Sequence, residues 1–167
     1  NSVSSVSTSL APVGEHAAVA PVNCSLAPLQ TVLSGGSATG KWFEQISSRR
    51  LEIRPTEDGR GLGLFTLDPI PPHSSVCIFG GRLTYSVDLE DRRYAVHLQG
   101  ERDLVVDGSI ARTPDDFPIT HAGAMTNSSR NPNCTLSFEF PSDWKRRIRD
   151  VVPPVPTLRS GSRRIDP

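Results

Sequence analysis

Between Leu51 and Phe140 the chain divides into short strand-like runs: LEIR (51–54), GLFT (63–66), VCIF (76–79), YAVHL (94–98), LVVD (104–107) and TLSFEF (135–140). Gly, Pro and Asp separate them. Short runs rich in β-branched and aromatic residues, punctuated by turn formers, read as strands of small sheets. No amphipathic helix of three turns stands between them, which excludes parallel β-α-β units and leaves a mainly β domain with short helices. YAVHL and LVVD flank QGERD, whose Gly100 suits a hairpin loop. The segment from Ser109 to Met125 has room for one short helix, limited by Pro114 and Pro118.

The flanks read differently. Residues 1–44 are dominated by Ser, Ala, Val, Pro and Gly. Such small side chains bury too little surface to offset the entropy of ordering them, so a flexible arm is expected, with Leu26 to Leu33 able to dock. The folded domain is expected over 45–150, where the aromatic pair Trp42 and Phe43 leads into LEIR. Residues 151–167 carry Pro153, Pro154 and Pro156 and are expected to form an irregular Pro- and Arg-rich tail, since proline removes a ladder donor from a central strand.

The 18 basic and 18 acidic residues give a net charge of +0, so no overall field draws the chain to nucleic acid or an anionic membrane. Lys145, Arg146, Arg147 and Arg149 are interspersed with Asp143 and Asp150 and read as a solvated face, so direct nucleic-acid binding is not expected. No apolar run approaches the roughly 20 residues that span a bilayer, and no signal peptide is recognisable. The sequence begins at Asn1, consistent with a fragment or a processed product. Cys24, Cys77 and Cys134 are widely spaced and the four histidines are scattered, so neither a metal site nor a disulfide framework is expected. An intracellular protein, nuclear or cytoplasmic, with reduced thiols is the simplest reading.

Three polar or glycine-rich segments occur in order: GRG (59–61) between two strands, VCIFGGR (76–82) at a strand end, and NSSRNPN (127–133) before the last strand. With the YAVHL…LVVDG hairpin (94–108), this order over roughly residues 50 to 140 resembles the SET domain of protein lysine methyltransferases. That family has a G-x-G turn, a V-x-x-Y-x-G-E strand end and an N-H-S-C-x-P-N segment. The resemblance implies a fold of several short β-sheets with a C-terminal chain crossing. It also implies S-adenosylmethionine as cofactor and a lysine-containing protein or peptide, histone or not, as substrate.

By that resemblance Arg60, Gly61, Phe79, Asn127 and Ser128 would contact the cofactor, and Asn133 would lie at the chain crossing. The family's strand-end Tyr is Phe79 here, its Glu is Arg82, and the His and Cys of its third motif are Ser128 and Arg130. The family's C-terminal tyrosine lines the lysine channel, whereas after Asn133 this chain has no Tyr and places Gly161 at the corresponding position. Catalytic residues are therefore not assigned from sequence. Two functions stand beside the methyltransferase: an inactive SET-like module that binds peptides, and a secreted glycosylated β domain. The last rests on sequons at Asn23, Asn127 and Asn133.

Overall fold

The computed structural model describes residues 26–36, 41–89, 91–109, 117–127, 131–150 and 152–167. In chain order its elements are α1 (Ala27–Leu33), α2 (Lys41–Ser47), β1 (Leu51–Pro55), β2 (Leu62–Thr66), β3 (Ser75–Ile78), β4 (Arg82–Tyr85), β5 (Ala95–His97), β6 (Leu104–Asp107), β7 (Cys134–Glu139), α3 (Arg146–Arg149) and β8 (Val155–Ser160). They form three small antiparallel sheets, ordered β1-β2, β3-β8-β7 and β4-β6-β5. This is the mainly β class with short helices that the strand pattern implies. Among the described residues no helix is long and apolar enough to cross a membrane.

The expected hairpin is present, with Ala95 opposite Asp107, Val96 opposite Val106 and His97 opposite Val105. β6 is buried along its whole length because it lies between β4 and β5 and faces the main core. His97 is exposed at the end of β5. The helix expected between Ser109 and Met125 resolves into two single 3-10 turns, Ile119–His121 and Gly123–Met125. Residues 110–116 lie outside the described residues.

On both flanks the structure holds more order than an arm and a tail, although docking of the Leu26 to Leu33 stretch was expected. Within the supposed arm, α1 is a helix whose Leu29 and Leu33 are fully buried in the main core. Spacing of Leu26, Leu29 and Leu33 puts them on one helical face, and full burial of each leucine contributes roughly 1.5–3 kcal/mol toward the cost of ordering the segment. Residues 1–25 lie outside the described residues.

At the other end, the supposed tail contains β8, the central strand of its sheet. Val155, Thr157 and Leu158 are buried, and the proline is tolerated by its position. Pro156 accepts from the Phe79 N–H at 2.9 Å, one residue past the end of β3. A residue's N and O face the same neighbour in an extended strand, so the missing donor falls where the β3 ladder already stops. Beyond β8 the chain crosses back, with Gly161 N–H donating to Asn133 O at 2.9 Å and Ile165 pairing with Ile70.

Two polar groups, one half-buried and one fully buried, join these pieces. Glu139 of β7 accepts from the Trp42 indole at 2.7 Å and the Ser75 hydroxyl at 2.8 Å on Oε2, and from Ser137 at 3.1 Å on Oε1. His121 is fully buried. Its Nε2 lies 2.8 Å from Val32 O and its Nδ1 2.9 Å from Thr120 Oγ1. A carbonyl only accepts, so Nε2 carries the proton and Nδ1 accepts from the threonine.

Burial holds the His121 pKa down to about 4 from 6.5, against the opposing pull of the Val32 carbonyl. Below pH 6.5 the unfolded chain takes up a proton that the folded chain refuses until about pH 4, so stability is full above 6.5 and declines between these values. The maximum loss is about 3 kcal/mol. Urea unfolding should show this decline in the parent protein and a flatter profile over the same window in His121→Gln. Glu139→Ala should cost about 2–3 kcal/mol by leaving the indole and hydroxyl donors unpaired, and Glu139→Gln, which keeps an acceptor, distinctly less.

Candidate active site

The β1–β2 connection is a tight turn. Thr56 N–H donates to Gly61 O at 2.8 Å, Gly59 N–H to Thr56 O at 3.2 Å, and the Thr56 hydroxyl to Gly61 O at 3.1 Å. Gly61 has φ of 91°, in the left-handed region that glycine occupies without steric penalty. Arg60 at the tip meets Asp58 at 2.7 Å. A hydrogen bond from Thr56, reinforced by Arg60, holds the Asp58 carboxyl below its ordinary pKa. The guanidinium is thereby tied to the turn that carries it.

The segment 117–127 brings its end to this turn. After the two 3-10 turns, Asn127 donates from Nδ2 to Leu62 O at 3.3 Å. Gly63 makes the approach possible, since a Cβ there would lie 3.1 Å from Asn127 Nδ2 and 3.0 Å from the Thr56 methyl. β1–β2 and the 117–127 segment are thus held together at a junction with little side-chain bulk.

Two cavities meet at that junction. One, of about 350 Å³, has an apolar floor of Leu64, Ile70, Val76, Leu158 and Ile165 and a polar rim of Thr56, Arg60, Asn127, Asn131 and Asn133. The other, of about 420 Å³, lies between Arg60, Gly61 and Leu62 on one side and Tyr94, Ser109 and Ala124 to Asn127 on the other. Arg60, Thr126 and Asn127 line both. A cavity of some hundreds of Å³ with an apolar floor and a few convergent polar groups has the character of a small-molecule site.

Of the residues singled out in the sequence, Arg60, Gly61 and Asn127 come together here. Phe79 does not line either cavity: it is buried behind the second, where a Cβ on Gly108 would lie 2.9 Å from its ring and 2.6 Å from Ala124. Ser128, with Ser129 and Arg130, lies outside the described residues. Gly161, at the position of the family's C-terminal tyrosine, carries no side chain and joins Asn133 through its backbone.

The sequence reading missed Tyr94 and Ile165. Tyr94 begins the hairpin and lines the second cavity, a placement that an isolated tyrosine at a strand start does not announce. Ile165 belongs to the segment read as tail. Cys134, also on the first cavity, is half-buried and its thiol pKa is raised by burial. Burial likewise pushes up the fully buried Cys77 thiol, with Cys134 adding to it. Both thiols are neutral and behave as small apolar side chains.

No protein-family model matches the chain, and no curated protein matches it. Among solved structures, KRYPTONITE in complex with mCHG DNA and SAH is similar over 72% of this chain and 22% of that one, with 18% identity and a TM-score of 0.52. KRYPTONITE in complex with mCHH DNA, H3(1-15) peptide and SAH is similar over 73% of this chain and 24% of that one, with 17% identity and a TM-score of 0.48. The chain therefore spans about a quarter or less of these neighbours' length. The chain described here has a SET-like fold.

Crowding at Gly63 can be measured directly. Gly63→Ala should cost about 1–2 kcal/mol in denaturant unfolding, and less than that in an Asn127→Ala background, because one of the three obstructing groups, the Thr56 methyl, the Asn127 amide and the Phe65 ring, is then gone.

Proposed function

We propose that this domain binds S-adenosylmethionine at the junction of the two cavities and supports methyl transfer to a lysine of a protein or peptide. The observation that carries the reading is the convergence of Arg60 and Asn127 on a rim shared by an apolar-floored cavity and a second cavity, with Gly61 beside them on the second. The residues present fit the cofactor: an apolar floor for a purine nucleoside, and backbone and amide groups at the rim for its amino-acid end. KRYPTONITE, which shares the fold, has been crystallised with SAH, the demethylated cofactor. In this reading Arg60, Gly61, Asn127 and Ser128 contact the cofactor, and Phe79 supports the wall from behind.

When bound, the cofactor would supply an electrophilic sulfonium methyl group for transfer to the lysine nitrogen, with the thioether as the leaving group. The chain's contribution is positional. The target amine must arrive neutral, and a confined cavity lined by Leu62, Tyr94, Ala124 and Met125 disfavours the ammonium form by desolvation. The two cavities share Thr126 and Asn127, so a cofactor and an amine held one in each would meet there, and such positioning by itself removes a large part of the barrier. The proton left on nitrogen passes to solvent through the open mouth.

Substrate access is offered by β5, an edge strand that follows Tyr94 directly. An extended peptide can add there as a further strand and direct a lysine into the second cavity. The same edge would serve a module that binds without transferring a methyl group.

Isothermal titration with S-adenosylmethionine and SAH should show binding that Asn127→Ala weakens at least tenfold. Because the Asn127 amide is exposed, that substitution should change stability by less than about 1 kcal/mol. Absence of binding in the parent protein removes the reading altogether. Methyl transfer to lysine peptides, followed by mass spectrometry, should rise in rate with pH as the amine deprotonates; binding without transfer leaves the peptide-binding module.

A further inference from the structure

With seven residues, α1 is well below the roughly 12–15 at which an isolated helix becomes marginal in water. Its presence depends on docking, and its polar contacts converge on one region. Leu33 O accepts from Gly81 N–H at 3.0 Å, the Gln30 side-chain oxygen from Leu83 N–H at 2.7 Å, and Val32 O from the His121 imidazole at 2.8 Å. Gly35, just past the helix, packs on Pro118, where a Cβ would fall 2.7 Å from Cδ.

The groups held are the β3–β4 corner and the start of the 117–127 segment. They are also bonded to each other: Gly80 N–H donates to His121 O at 3.0 Å, and Phe79 bridges Ala122. From Ala122 the chain runs without a break into Ala124, Met125, Thr126 and Asn127, which line the cavity junction. α1 itself lines neither cavity.

We infer that α1 is a strap: docked, it fixes the 118–127 segment and so the position of Asn127, and undocked, it frees that segment while the β1–β2 and β7–β8 pairs persist. By linkage, whatever occupies the junction tightens the strap, and loosening the strap weakens the occupant's binding by the same factor. The identity of the occupant rests on the cofactor reading above; the strap itself does not.

Hydrogen exchange on the full chain tests this. Gln30→Ala removes one anchor without emptying the core and should speed exchange of the amides in 26–34 and 118–127 together, by about five- to tenfold, with β1–β2 and β7–β8 unchanged. Thr31→Pro, which breaks the helix, should do so more strongly if the variant folds. Saturating SAH should slow both segments, and Gln30→Ala should weaken SAH binding about fivefold. The strap is refuted if Gln30→Ala speeds α1 alone, or if both segments open only with global unfolding. Lack of SAH binding to the parent protein would remove the cofactor reading and leave the exchange result to decide the strap.

Discussion

The pairing of β8 with strands on both sides is the constraint on which the rest of the molecule depends. β8 lies between β3 and β7, and it is the last strand of the chain. Its register sets Cys134 opposite Ser160 and Glu139 opposite Val155, which places the Asn131–Asn133 stretch at the first cavity. The residues beyond it close the same cavity through the pairing of Ile165 with Ile70. β8 meets β7 across the short connection 140–154, but its pairing with β3 closes a loop that holds most of the domain, so the complete sheet and the cavity floor form only when that distant pairing is made.

The junction of the two cavities is built largely from backbone and small or polar side chains. The Thr56–Gly61 turn satisfies its own donors and acceptors, leaving its outer face to a ligand. Asn127 is held by a single bond to Leu62 O, and its placement is inherited from the segment behind it, which is pinned by buried His121 and by α1. Rigidity thus reaches the site through a chain of packed and hydrogen-bonded groups, none of which is charged.

How much of this could be read in advance varies with the origin of each contact. The β1, β2, β3, β6 and β7 strands were legible because short β-branched runs between turn residues carry their own signal. β8 was not, since its prolines speak locally against a central strand and the feature that excuses Pro156 is the end of β3, some 80 residues earlier. α1 was hidden for a related reason: its few leucines are ordered only by the core they enter. The order of GRG, VCIFGGR and NSSRNPN pointed to Arg60, Gly61 and Asn127, which do meet; it could not show that Phe79 faces away from the cavities or that Tyr94 lines one.

By itself the sequence determined the class of structure, a set of short antiparallel strands with turns at its glycines, because strand and turn preferences act between near neighbours. Only the tertiary structure decided which strand is central, which helix holds the site and which side chains line it. Those outcomes depend on burial and on hydrogen bonds between residues distant in the chain, as between Asn133 and Gly161 or His121 and Val32. Such contacts leave no periodicity behind in the sequence.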